Sequence, residues 1–204
     1  MPCVDGSELW SLCDGPTQIA EMSGALLRLV ESQEVVATST LVDDLAEQAL
    51  LEDMLETSKP PLRHGSDALH YLLATPFRYP PLRHGSRFGR RHEPSLLYGG
   101  HETRTVLAET AYYRLIFWHD MKAPPPMGRL LTQHTLFRAR YCTGQGIALH
   151  VPPWSSHADL LTHPSDYGTT QALGTAMRAA GVQAVEYPSA RDPHRGVNVG
   201  LFTP

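Results

Sequence analysis

Residues 182–202 read VQAVEYPSARDPHRGVNVGLF, two apolar runs split by a polar loop. VQAVEY and VNVGLF are rich in Val and aromatic residues and predict strands, and PSARDPHRG between them carries the Pro and Gly of a connection. Upstream, Ser165 can cap a helix running to Ala180, and Gly181 stands where a left-handed residue is wanted. Further upstream, HTLFRARY from His134 sets Phe137, Ala139 and Tyr141 against Leu136, Arg138 and Arg140, and GIALHV from Gly146 alternates likewise. Each fits a half-buried strand. Strands and helices interleave without regular alternation, which predicts an α+β domain rather than a doubly wound one.

The middle of the chain, from Leu69 to Trp118, opens on the loop-like PFRYPPLRHGSRFGRRHEPS and a short strand, SLLYG. A long helix is expected from Thr103 to Trp118. Val106, Leu107, Ala108, Ala111, Leu115 and Ile116 leave it little polar surface, so it is expected to be buried on most sides. Glu109 stands in its middle, and a carboxylate there must be paired, hydrogen-bonded or facing a cavity, because an unpaired buried charge is too costly.

Nearer the N-terminus, Ile19, Met22, Leu26, Leu29 and Val30 keep helical spacing and predict a helix from Ile19 to about Val36. A second is expected from Leu41 to Leu55, with Thr40 and Asp43 resembling a capping box and Pro60 ending the run. The Pro- and Gly-rich SKPPLRHGSD that follows reads as a linker or ordered loop. The expected organisation is therefore a helical extension over residues 1–58 and a second domain over 59–204.

Composition narrows the class. A chain of 204 residues can bury about 70% of its unfolded surface. Apolar content of 42% and charged content of 19% are globular values. A net charge of −4 argues against general nucleic-acid binding. Three scattered cysteines, Cys3, Cys13 and Cys142, suggest free thiols and a cytoplasmic setting. MPCVDGSELW lacks the basic and apolar regions of an export signal, and no run of apolar residues is long enough to span a membrane.

Common motifs are absent: no GxxxxGK, no GxSxG, and no second His to complete the His-Glu pairs at His92 and His101. The 11 His residues lack metal-ligand spacing, so no metal site is expected. What remains is Arg87, Tyr98 and Glu109, evenly spaced on a loop, a strand end and a helix that can converge on one pocket. On spacing alone they are equally a surface Arg, a packed aromatic and a helix salt-bridge partner. The heptapeptide PPLRHGS occurs twice, from Pro60 and from Pro80, followed by Asp67 in the first copy and Arg87 in the second. Only the second copy leads into the constellation, and His64 and His84 are read as structural.

GSRFG, LLYG, VLAETAYYR and YPSARDPHRGVNV together resemble the RES family, named for its Arg, Glu and Ser, whose members are toxins of bacterial toxin–antitoxin modules. Arg87, Tyr98, Glu109 and Ser189 match the family's Arg, Tyr, Glu and Ser, and Asn198 its Asn before the last strand. Arg78 and Tyr79 resemble its first Arg-containing element. The resemblance runs from about Leu69 to the C-terminus, and GSRFG departs from the family's usual GGRWN. It implies an ADP-ribosyltransferase-like mixed β core with flanking helices, and NAD as a substrate cleaved between nicotinamide and ribose. In that reading Glu109, Arg87, Tyr98 and Ser189 are catalytic, Arg78, Tyr79 and Asn198 bind NAD, and no metal takes part. A carboxylate beside the ribose 2′-hydroxyl would stabilise a developing oxocarbenium ion. A guanidinium, Arg87 or Arg78, would meet the diphosphate, and a Tyr face the nicotinamide ring.

Water, phosphate or a protein side chain stays open as acceptor, which separates an NAD glycohydrolase or phosphorylase from an ADP-ribosyltransferase. A catalytically silent binding module is a third class. The resemblance also implies an Xre-like antitoxin partner, and the apolar faces of the first helices leave a homo-oligomer open. No nucleic-acid or membrane partner is expected.

Overall fold

The computed structural model describes residues 5–32 and 41–204, apart from the side chain of Pro126. Five strands form one closed sheet in the order β1-β2-β5-β4-β3: β1 Ala20–Glu31, β2 Leu97–Gly100, β3 His134–Ala148, β4 Ala184–Pro188 and β5 Val197–Leu201. All neighbours run antiparallel except β3 and β4. That pair is parallel because the chain between them crosses over through two helices, Ala158–Leu161 and Gly168–Ala179. The mixture of strands and helices is α+β, as the unequal alternation implies.

Among the described residues six α-helices surround the sheet: α1 Gly6–Leu12, α2 Leu45–Ser58, α3 Tyr71–Arg78, α4 Thr103–His119, α5 Ala158–Leu161 and α6 Gly168–Ala179. Asp5 and Glu8 form a reciprocal capping box that starts α1. Helix α1 lies against α6 so closely that a Cβ on Gly6 would sit 2.0 Å from the Thr169 carbonyl oxygen. Only glycine permits that approach. Leu9 and Cys13 thereby join Phe88, Trp154, Leu173, Met177 and Tyr187 in one core on one side of the sheet. On the other side Leu26, Phe77, Leu97, Tyr141 and Val199 form a second cluster.

Several expectations are corrected. The helix expected over Ile19–Val36 is strand β1, where the described residues end at Ser32. Met22, Leu26 and Val30 are four apart, a spacing that keeps side chains on one face of a strand as well as of a helix. β1 pairs with β3 from Ala20↔Gly146 to Glu31↔His134, so the upstream segment is part of the sheet and core shared with the rest of the chain. HTLFRARY and GIALHV, read as two strands, are one strand of 15 residues. Their intervening glycines mark an irregular register opposite Ala20 and Met22 rather than a turn, and a Cβ on Gly146 would lie 2.3 Å from that of Met22.

Helix α2 forms in the expected segment but starts at Leu45 rather than Leu41, capped by Asp44, whose Oδ1 accepts from the amides of Ala46 and Glu47, while Thr40 lies outside the described residues. Helix α6 starts at Gly168, where Asp166 Oδ1 accepts the Gly168 amide, and not after Ser165. Helix α3 was not foreseen. The long helix α4 runs where predicted, yet only Thr105 and Val106 are buried; Leu107, Leu115, Ile116, Phe117 and Trp118 are exposed. Among the described residues no helix is long and apolar enough to cross a membrane, and no group of three His, Cys, Asp or Glu side chains is placed to hold a metal ion.

Candidate active site

Glu109 projects from the middle of α4 toward the start of the β4–β5 loop, and two side chains hold one of its oxygens. Ser189 Oγ donates to Glu109 Oε1 at 2.6 Å, and Asn198 Nδ2 donates to the same oxygen at 2.8 Å. Ser189 directly follows β4 and Asn198 lies on β5; they are 1% and 3% exposed, so neither can trade its partner for water. Ser189 Oγ also accepts the amides of Arg191 and Asp192 at 3.1 and 3.0 Å. A hydroxyl has two lone pairs and one proton. With both lone pairs occupied by amides, the proton can point only at Glu109. Oε1 is thus fixed as a pure acceptor, and Oε2 makes no hydrogen bond among the described residues.

Tyr98, the second residue of β2, holds its hydroxyl inside the protein, accepting the Phe88 amide at 3.1 Å and meeting Ser86 Oγ at 2.9 Å. Ser86 is the last residue of the second PPLRHGS. Gly85 in that copy has φ of +72° and Gly65 in the first has +89°, so both copies turn through a left-handed glycine. They lead to different places: Arg63 of the first donates to the Phe202 carbonyl, whereas the second delivers Ser86 and Arg87 to the site. Burial raises the Tyr98 phenol above its ordinary value, against the opposing hydrogen bonds from Ser86 and Phe88. Tyr187, packed edge-on against Phe88 and Tyr98, is pushed up by burial first and then by the charges of Tyr98 and Glu109.

Arg87 donates to the carbonyls of Leu161 and His163 at 3.0 and 3.2 Å, and its guanidinium lies 4.6 Å from the centre of the Tyr167 ring. Arg191 covers the Tyr112 ring at 3.5 Å and donates to the Pro164 carbonyl and to Tyr167 Oη. Tyr113 Oη meets Tyr167 Oη at 3.3 Å, and burial, then that contact, raises the Tyr113 phenol. Two guanidiniums and three phenols, Arg87, Arg191, Tyr112, Tyr113 and Tyr167, therefore form one connected cluster, with Tyr112 and Tyr113 on the helix and Arg191 on the loop that also carry Glu109 and Ser189.

Of the residues expected from sequence, Glu109, Ser189 and Asn198 are joined directly, with Tyr98 and Arg87 beside them around Tyr187. Arg78 and Tyr79 are not joined to them: Arg78 is bound to Glu56 Oε1 at 2.6 Å and to the Pro60 carbonyl, and Tyr79 accepts from Ser95 through its own carbonyl. A separate concavity of about 230 Å³, lined by Leu26, Leu73, Phe77 and Tyr141 among others, contains none of these residues. Sequence reasoning missed Tyr113, Tyr167, Tyr187 and Arg191. Tyr113 and Arg191 sit within the very segments AYYR and PSARDPHRG, whereas nothing marked Tyr167.

Chemically, the arrangement offers a carboxylate with one immobilised and one open oxygen, flanked by cations and aromatic rings. It suits a substrate with a hydroxyl next to an electron-poor carbon and a negatively charged, ring-bearing remainder.

The fold is similar to a chain in the crystal structure of the M. tuberculosis MbcT–MbcA toxin–antitoxin complex, with a TM-score of 0.55 and 13% sequence identity over 98% of this chain and 83% of that one. No curated protein sequence matches the chain. The family model of the RES domain matches residues 60–204, which take in all of the site residues above, and the chain belongs to the RES domain family.

Proposed function

We propose that this protein is the toxin of a toxin–antitoxin module and that it degrades NAD by cleaving the bond between nicotinamide and ribose. The observation that carries the reading is Glu109, gripped through Oε1 by Ser189 and Asn198 with Oε2 left open. Membership of the RES family and the likeness to a chain of a toxin–antitoxin complex support it.

The step is a substitution at the ribose C1′. The C1′–N bond breaks, its electron pair leaves with a neutral nicotinamide, and positive charge develops on the ribose ring. Glu109 Oε2 accepts from the 2′-hydroxyl and lies where that charge grows, so it binds the transition state more tightly than the ground state. Water or phosphate then adds to C1′ and gives up a proton, yielding ADP-ribose or its 1-phosphate. Ser189 and Asn198 keep the carboxylate from rotating, Arg87 presents its guanidinium to the diphosphate, and Tyr98 anchors the loop that carries Arg87. Arg78 and Tyr79 remain candidates for the distal end of NAD, where Arg78 would exchange Glu56 for substrate. The partner is an antitoxin, proposed to be of the Xre type, and the site of action the cytoplasm.

Induced expression tests the proposal. Wild-type protein is expected to deplete cellular NAD and stop growth, and Glu109→Gln and Arg87→Ala to do neither. Growth arrest that survives both substitutions would exclude the enzymatic reading.

A further inference from the structure

Helix α4 carries the general architecture of the site on a weak start. Its N-cap, Glu102, makes no side-chain cap, and no acidic residue stands in its first turn. The orphan amides and partial positive charge there call for an acceptor from elsewhere. Asp192, from the β4–β5 loop and only 3% exposed, brings a negative charge to that turn and binds its side chains rather than its amides: Oδ2 accepts from Thr105 Oγ1 at 2.8 Å and from Arg104 Nε at 3.4 Å, while Oδ1 accepts the His194 amide at 3.0 Å. Thr105 is fully buried.

Thr105 and Glu109 are four apart and share one helix face. Their partners, Asp192 and Ser189, are three apart in the loop. Two rungs therefore join the same helix face to the same loop, Thr105–Asp192 and Glu109–Ser189, and Ser189 Oγ ties the loop's own turn by accepting the Asp192 amide. Gly196 closes over the first rung: a Cβ there would stand 2.1 Å from Thr105 Oγ1 and 2.7 Å from Asp192 Oδ2. The space is reserved for that hydrogen bond.

We infer that Thr105 and Asp192 are a positioning pair that sets the distance and rotation of Glu109 relative to Ser189, and so the catalytic geometry, without touching the substrate. The inference rests on the NAD-cleaving reading for its kinetic consequence, though not for its structural one. Thr105→Val removes the donor at nearly constant shape, Thr105→Ser restores it, and Asp192→Asn keeps the shape while removing the charge.

Nicotinamide release and amide hydrogen exchange at Arg191 and Asp192 are to be measured on all four proteins. Thr105→Val is expected to lower kcat roughly tenfold or more with KM within about twofold, because misplacement of a catalytic group falls on the chemical step. The two amides should exchange at least about tenfold faster, since their acceptor, Ser189 Oγ, is no longer held. Thr105→Ser should return both readouts to within about twofold of wild type, and Asp192→Asn should fall between. Wild-type kcat and unchanged exchange in Thr105→Val overturn the inference; should that variant not fold, the same result in Asp192→Asn does so. If wild-type protein releases no nicotinamide, the NAD reading fails by itself. Exchange then decides the pair alone: faster exchange supports it and unchanged exchange overturns it.

Discussion

Replacing Asn198 by Asp puts a second carboxylate against Glu109 with no change in shape. The donor now lies 2.8 Å from Glu109 Oε1, and two unit charges at that separation repel by about 6 kcal/mol at an effective dielectric of about 20. The pair can avoid this by keeping one proton. Holding a carboxyl protonated at pH 7 against an ordinary value of about 4 costs about 4 kcal/mol. Glu109 is half-buried, so solvent screening lowers the expected loss to about 2–3 kcal/mol. The sign follows from linkage. A carboxyl whose pKa is raised by folding contributes least cost below its unfolded value and loses stability as pH rises through the interval up to its folded value. Urea unfolding of Asn198→Asp and wild type at pH 4.5 and pH 7, values chosen to bracket the range of roughly 4 to 7, reads this directly. The deficit should grow by about 1.5 kcal/mol or more between the two. An equal deficit at both would refute the contact between Asn198 and the Glu109 carboxylate.

Leu9→Ala should destabilise the protein by about 2–5 kcal/mol in urea unfolding, because Leu9 is fully buried in the main core; a loss below about 0.5 kcal/mol would mean that α1 is not part of that core. Tyr98→Phe should cost about 1–3 kcal/mol, since it leaves the Phe88 amide without its acceptor. The Asp192 carboxyl is held below its ordinary value, first by the His194 amide and further by Thr105 and Arg104. A depressed carboxyl stabilises the fold above its unfolded pKa, and that contribution is lost as pH falls below about 4, so Asp192→Asn should flatten the acid limb of the stability profile.

Much of the site was readable in the chain because its parts lie in segments of strong local character. Glu109 among the apolar residues of the long helix demanded partners, and Ser189 and Asn198 flank a loop between two clear strands. Arg191 was hidden by the same loop, since nothing in one sequence says which of two loop arginines will find the face of Tyr112. Tyr167 had no signal at all, for its role comes from a loop that only the fold brings beside Arg87. The N-terminal strand was misread for a plain geometric reason. Met22, Leu26 and Val30 satisfy the helical and the extended period equally, and the choice is made by pairing with a strand more than a hundred residues away. Helix α4 shows the opposite failure: Leu115, Phe117 and Trp118 are apolar as expected, yet the chain alone leaves them in solvent.

The central claim is that the Glu109 carboxylate drives cleavage of NAD. The most direct measurement incubates purified wild type and Glu109→Gln with NAD, with and without phosphate, and follows nicotinamide and the ribose-containing product by chromatography with mass detection. The account predicts nicotinamide release by wild type that falls at least about a hundredfold in Glu109→Gln, with the product mass reporting water or phosphate as acceptor. Equal release by both proteins, or none from wild type under either condition, would contradict it.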